Sequence, residues 1–465
     1  MQRAPFSLTF LGGTGTVTGS KYLLDYPHGG PHGDGRSQTL VDCGLFQGFK
    51  QLRLRNWAPL PLAPAAIESV VLTHAHLDHS GALPLLVRSG YRGRVYCTRS
   101  TADLCKILLP DSGHLQELDA AYANRKGFSR HHPALPLYTV EDAEHALHHL
   151  RPVDFGAPFD LPGGLVATFS RAGHILGAAS LHLTGDGLPS LVFSGDLGRQ
   201  HDLMMNPPDP RPAADYVVIE STYGDRRHGA EDPGEVLADI VRRTVARGGT
   251  VLIPAFAVGR TQALLVLLHR LREAGKIPAV PVYIDSPMAI AATELYEDNG
   301  RDHRLTPEAT RAAMRVATCV ETAEASKALD RRESPAILLS ASGMATGGRV
   351  VHHLKHFLPD ARHTVLLAGF QAAGTRGAAL VGGATQLKIH GAYVPVRAEV
   401  AHLDLLSAHA DREELLTWLA SGPPPRRVYI THGEPAAADA LRLAVQERLR
   451  WDCAVPDYRD TVTLD

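Results

Sequence analysis

The hexapeptide His74-Ala75-His76-Leu77-Asp78-His79 stands directly behind the apolar, β-branched run Ser69-Val70-Val71-Leu72-Thr73. Four potential metal ligands within six residues cannot share one face of a strand, whose side chains alternate, or of a helix. A loop wrapped around an ion lets them converge. Neutral imidazoles with a carboxylate suit zinc or a similar divalent cation. The competing reading is a histidine-rich surface loop.

One zinc takes three or four protein ligands, and two need more than this box holds. Further candidates share one setting, a polar residue that ends a hydrophobic strand and precedes a turn. They are Asp42, His174, Asp196, Glu220, His409 and His432. Each by itself reads as a capping or turn residue; the shared setting raises them together.

Working outward, residues 7–11, 21–25, 39–41 and 69–72 read as strands separated by Gly-rich turns. Residues 27–38 form a Gly/Pro/His loop, an expected hairpin extension in which His28 and His32 read as solvated. From Tyr216 the pattern changes. Strands at 216–219, 250–253, 282–284, 336–339 and 365–367 are interspersed with amphipathic helices at 233–246 and 260–274, which indicates a parallel α/β sheet. Residues 308–332 are polar, Ala-rich and helix-prone, and the chain closes on a helix at 412–419, a strand at 427–430 and a last helix.

The chain has 465 residues, beyond the size at which one core keeps growing, so two domains are expected. With 44% apolar and 21% charged residues it is an ordinary globular sequence with material for a buried core. Five scattered cysteines in no C-x-x-C pair imply reduced thiols and a cytoplasmic location. The N-terminal segment lacks the apolar core of a signal peptide, and the most apolar window, residues 263–268, is too short to span a bilayer, so no membrane partner is expected. The net charge of −2 gives no global reason for a polyanion partner, but residues 216–398 hold 22 Lys and Arg against 18 Asp and Glu. A solvated surface is the ordinary reading of that excess.

The H-A-H-L-D-H box, with Asp42, His174 and Asp196 in that order, resembles the metallo-β-lactamase fold. Glu220, His409 and His432 resemble the three extra motifs of its β-CASP nuclease branch, which includes ribonuclease J and the cleavage-and-polyadenylation endonuclease. The match runs from Gly12 to Gly433. It implies an α/β fold, a metallo-β-lactamase αββα sandwich carrying an inserted α/β β-CASP domain with a mainly parallel sheet. The expected limits are 1–215 and 399–465 for the first domain and 216–398 for the insertion.

The resemblance also implies two zinc ions per chain, with manganese as the alternative. One would be held by His74, His76 and His174, the other by Asp78, His79 and His432, with Asp196 bridging and Asp42 orienting the box. The implied catalytic set is His409, Glu220, Asp78 and Asp42. The implied reaction is hydrolysis of an RNA phosphodiester by a metal-bridging hydroxide, with His409, oriented by Glu220, helping the leaving oxygen, to yield a 5′-phosphate and a 3′-hydroxyl.

Phosphates flanking the cut need donors. The small-residue turn at Ser342-Gly343, and Arg260 and Arg376, are the candidates. One departure is visible: the family often has Arg where Ala378 stands. Gly13, Gly15 and Gly19 lack the spacing of a dinucleotide fingerprint.

DNA-processing members of the branch typically carry Val at the third extra motif, so His432 favours RNA. The alternatives are a 5′-3′ exoribonuclease, a DNA nuclease of the same branch, and a metal-poor scaffold, against which the intact box argues. The chain ends soon after His432, without the long extension of ribonuclease J, which favours endonucleolytic cutting. A homodimer is an open option.

Overall fold

The structure, a computed structural model, describes residues 6–28, 35–127, 129–229, 231–369, 371–372 and 374–465. The chain divides into two compact units, one comprising Met1–Arg227 and His409–Asp465, the other His228–Ala408.

The first unit is built on two seven-stranded sheets. In one, Thr461–Leu464, Phe6–Phe10, Tyr22–His28, Gly35–Val41, Ser69–Val71, Arg94–Thr98 and Leu150–Val153 lie in that order. In the other, the order is Cys453–Ala454, Arg427–Ile430, Tyr216–Ile219, Leu188–Phe193, Ala179–Gly185, Leu165–Arg171 and Pro158–Asp160. The alternation of Phe6–Phe10 buries Phe6, Leu8 and Phe10, and that of Leu165–Arg171 buries Leu165, Ala167 and Phe169. These rows meet in one core with Tyr22, Leu181, Phe193 and Tyr429, so the two sheets pack face to face. Ser69–Val71 is paired in parallel on both sides and buried throughout, which is why it reads as a continuous apolar run.

The expected loop at 27–38 is shorter than read. Tyr22–His28 and Gly35–Val41 pair as far as His28↔Gly35, and the remaining tip with His32 lies outside the described residues. A 28-residue helix, Arg99–Lys126, escapes the sequence reading because Pro110 and Gly113 interrupt its pattern. The Thr98 side chain caps its start, and Gly127 ends it in the left-handed region.

The second unit carries a six-stranded sheet in the order Thr318–Cys319, Val282–Asp285, Ile337–Ser340, Val251–Pro254, Thr364–Ala368, Glu399–Leu403, every pair parallel. A separate two-stranded hairpin, Gln386–Ile389 with Ala392–Pro395, completes it. Residues 308–332 form two helices, Pro307–Met314 and Ala323–Asp330, with Thr318–Cys319 pairing at the sheet edge between them.

Both expected domain limits move. Tyr216–Ile219 pairs with Leu188–Phe193 and Arg427–Ile430 and so belongs to the first unit. Glu399–Leu403 pairs with Thr364–Ala368 and belongs to the second. Among the described residues no helix is long and apolar enough to cross a membrane, and none of the five cysteines is in a disulfide.

Candidate active site

The site lies in the first unit, where strands from both sheets end. Asp42 follows Gly35–Val41 and His432 follows Arg427–Ile430, one residue on. Both take left-handed backbone, at φ 58° and 45°. That conformation costs a non-glycine residue about 1–2 kcal/mol, and its effect here is to turn each side chain inward, where both are buried. His76 directly precedes the short helix Leu77–Ser80, which carries Asp78 and His79.

Asp42 organises the box. Its Oδ1 accepts the Thr73 N–H at 2.7 Å and its Oδ2 accepts the Thr73 hydroxyl at 3.0 Å. His79 Nδ1 donates to the same Oδ2 at 2.7 Å, since a carboxylate only accepts. That bond turns His79 Nε2 toward Asp196 Oδ1, 3.2 Å away, and His432 Nε2, 3.1 Å away. His432 Nε2 is 3.5 Å from Asp78 Oδ2, and its Nδ1 is 3.1 Å from the Thr222 hydroxyl.

On the other side of Asp196, His74 Nε2 and His174 Nε2 lie 3.1 and 3.2 Å from His76 Nδ1. Asp196 Oδ2 is 3.5 Å from His74 and 3.7 Å from His174. Three overlapping groups of ligand atoms result, each within 4.8 Å: His74, His76, His174 and Asp196 in one, Asp78, His79 and His432 in another, and Asp196, Glu220 and His432 in a third. Asp196 reaches toward all three.

The donor chemistry fits divalent cations. Three imidazole nitrogens converge on one another, and a hydrogen on one satisfies only one partner. Asp196 Oδ1 is buried without a hydrogen bond. Burial, reinforced by neighbouring imidazoles, pushes His74 well below the usual histidine pKa and His76 down to about 4, against the pull of nearby carboxylates. Both are therefore neutral near pH 7, the form in which histidine ligates. Burial opposes ionisation of Asp196, but His432, His79 and His74 outweigh it and hold the carboxyl well below its usual range. Burial likewise opposes charge on His79, yet Asp196 and Asp42 raise its pKa well above normal. The buried carboxylates call for positive charge, which a proton or a bound cation satisfies.

Beside this centre, His409 Nδ1 donates to Glu220 at 3.0–3.1 Å. Glu220 is itself fixed, accepting the Leu197 N–H at 2.6 Å. The other ring nitrogen of His409 points into the centre, 3.9 Å from Asp196 Oδ2. At 18% side-chain exposure His409 is more open than Asp196 at 2% and His432 at 4%, though less so than Asp78 at 23%. Burial opposes its charging, but Glu220 above all, then Asp196 and Asp78, raise its pKa to about 9.

The structure thus brings together all seven residues of the expected ligand set with Asp42, Glu220 and His409. Thr73 and Thr222, which bond Asp42 and His432, carry no signal in the sequence. Their partners Asp42 and His432 are remote in sequence, and an isolated threonine carries no motif.

The phosphate candidates lie in the second unit. Gly343 answers to packing, since a Cβ there would come within 2.9 Å of the Phe256 backbone nitrogen. The Ser342 hydroxyl accepts the Thr346 N–H at 3.1 Å. Arg260 opens the helix Arg260–Glu273, its guanidinium against Gly369. Arg376 gives Nε to the Lys388 carbonyl and Nη1 to those of Ala345 and Thr346, each at 3.1 Å. Its Nη2 amino group, rather than the whole fork, is what it has left for an anion.

Comparison with known proteins shows the family of the chain. Residues 33–222 match the metallo-β-lactamase superfamily, 261–380 the β-CASP domain, and 393–456 a Zn-dependent metallo-hydrolase RNA specificity domain. Ribonuclease TTHA0252 of Thermus thermophilus is 41% identical, the alignment covering 91% of this chain and 92% of that protein. Transcription termination factor FttA of Methanosarcina mazei is 32% identical, covering 98% of this chain and 71% of the factor. A crystal structure of a protein of unknown function from Enterococcus faecalis V583 shares the fold, with a TM-score of 0.55 at 14% identity over 99% of this chain and 100% of that one. The chain belongs to the β-CASP branch of the metallo-β-lactamase superfamily, a family of metal-dependent hydrolases that includes ribonucleases.

Proposed function

We propose that this protein is a two-zinc ribonuclease that cuts RNA internally and leaves a 5′-phosphate and a 3′-hydroxyl. The observation that carries the reading is Asp196, a buried carboxylate between two separate sets of ligands. His74, His76 and His174 would hold one ion, Asp78, His79 and His432 the other, and Asp196 would be shared. Ions bound there supply Lewis acidity at the phosphoryl oxygens and make water acidic enough to act as a nucleophile near neutral pH.

The chain's own groups do the rest. Asp42 keeps His79 in one tautomer and orientation. Glu220 keeps the Nδ1 hydrogen of His409 engaged, so that the proton on Nε2 faces the centre. With its pKa raised to about 9, His409 holds that proton at neutral pH. It can pass it to the O3′ of the departing ribose as the P–O bond breaks, while the hydroxyl of water becomes the fourth oxygen of the 5′-phosphate. In the second unit Ser342, Gly343, Arg260 and the Nη2 of Arg376 are the proposed phosphate contacts. RNA as substrate is supported by His432 and by the similarity to a protein named as a ribonuclease.

Circular RNA tests the reading. Wild-type protein with zinc should linearise it, leaving 5′-phosphate ends, and Asp196→Ala should not. Degradation of linear 5′-phosphorylated RNA with the circle spared would replace internal cutting by 5′-3′ exonuclease action. Cutting of DNA alone would refute the ribonuclease reading.

A further inference from the structure

The positive excess of residues 216–398 is concentrated in one place. Residues 349–397 hold six Lys or Arg and five His against a single acid, Asp360. Without that stretch, the remainder of 216–398 has 16 Lys and Arg against 17 Asp and Glu.

Arg349 and His353 are turned to Asp285 and Arg362 to Asp360, and part of the remaining charge gathers around one hairpin of the second unit. In the hairpin Gln386–Ile389 with Ala392–Pro395, Leu387, Ile389 and Val394 enter a core with Val350 and Leu354 of the helix Arg349–Phe357. Alternation then leaves Lys388 and Tyr393, directly paired in register, on the opposite face. Tyr393 is 66% exposed, and the Lys388 ammonium is 5.9 Å from its ring centroid.

The hairpin turns at His390-Gly391, with φ values of 48° and 85°. Asn-Gly is the pair that such a two-residue turn favours. His390 occupies the strained position, and its ring lies 4.6 Å, centroid to centroid, from that of His352 on the helix. Lys355 stands one turn on from His352 along that helix, and Arg376 Nε donates to the Lys388 carbonyl at 3.1 Å. Among the described residues no carboxylate is within ion-pair distance of Lys355 or Lys388.

We propose that this ribbon, Lys388 and Tyr393 with His390, His352 and Lys355, is a second contact for single-stranded RNA, apart from the metal centre. One base stacks on Tyr393 and neighbouring phosphates lie on the lysines. An exposed aromatic ring takes any base, and unpaired cations beside it track the backbone. The proposal rests on the ribonuclease reading and adds a place where a long substrate is gripped.

The test compares a long unstructured oligouridine with a short one, by fluorescence anisotropy and by steady-state cleavage. Tyr393→Ala should weaken binding of the long RNA about fivefold and raise its KM with kcat unchanged. Tyr393→Trp should restore it. Lys388→Ala with Lys355→Ala should make the dependence of log affinity on log salt shallower by about 0.7 for each phosphate no longer neutralised. The short RNA should be cut as by wild type, and melting temperatures should not move. Wild-type affinity for the long RNA in all these variants overturns the proposal. So does weakening that Tyr393→Trp fails to restore, or a change of oligomeric state with RNA binding intact, which would make the ribbon a protein contact. If wild-type protein neither binds nor cuts either RNA, the ribonuclease reading falls first and the ribbon with it; cutting without any ribbon effect removes the ribbon alone.

Discussion

His409 and Glu220 are joined by a hydrogen bond, which leaves Nε2 of His409 turned toward Asp196. Replacing His409 by Ala should slow the cleavage step by about 10²–10⁴-fold, the usual worth of a general acid, and leave zinc content unchanged. The loss should shrink for RNA whose leaving oxygen is replaced by sulfur, because a thiolate departs without a proton. Glu220→Gln should show a smaller defect of the same kind, and the double variant should be less than additive. Equal single-turnover defects on both substrates, or loss of zinc, would make His409 a structural residue. Asp42 makes a separate case, since it accepts from both Thr73 donors and from His79. Asp42→Asn puts an amide NH₂ where one of these acceptors stood, and zinc affinity measured against a competing chelator should fall about 10–100-fold. Unchanged affinity would mean that His79 is oriented by packing alone.

At the scale of elements, the second unit has an ionic tie that sequence reading passes over. His353, on the helix Arg349–Phe357, lies 2.6 Å from Asp285 at the end of Val282–Asp285 and 2.6 Å from Asp330 at the end of Ala323–Asp330. Burial opposes charge on His353, but hydrogen bonds and charge from the two aspartates raise its pKa. Burial opposes ionisation of Asp285 as well, and bonds from His353, Ser326 and Arg349 lower its pKa. The two shifts act on opposite sides. The His353 contribution is complete below the ordinary histidine pKa of about 6.5 and is lost as pH rises through the raised value. The Asp285 contribution is present above about 3.9 and is lost as pH falls through the lowered value. Denaturant unfolding of the second unit should therefore show declining stability on the alkaline side of pH 6.5, and His353→Gln should flatten that limb. Parallel declines in wild type and variant would show that the tie is not its cause.

For the whole molecule, metal content and folding should be linked. Purified protein should carry about two zinc ions per chain, because each site needs at least three protein ligands and seven converge here. An ion that binds only the folded state stabilises it by mass action, so chelation should lower the melting temperature and abolish cleavage, and zinc or manganese should restore both. Protein stripped of metal that melts and cuts as before would exclude a metal centre. The ligands for such a centre are legible as residue types because each stands at the end of an apolar strand, where a chain reversal brings polar groups to a sheet's edge. Thr73 and Thr222 were not legible, because what marks them is a partner brought close only by folding.

The order of residues along the chain determines the box at His74 to His79, the apolar runs that become strands, and the ligand candidates at their ends, since all of these are local in chemistry and spacing. Which sheet a strand joins is not local. Tyr216–Ile219 looks like the start of the parallel sheet that follows it, yet it pairs with Arg427–Ile430. Glu399–Leu403 looks like the return to the first unit, yet it forms the edge of the second unit's sheet. Backbone N–H and C=O groups are alike in every strand, so partner choice follows from the packing of distant side chains. The same holds for the chemistry of the site. Which nitrogen of His79 faces Asp196, and which of His409 faces the centre, follows from carboxylates delivered by other strands, and tertiary structure alone sets these.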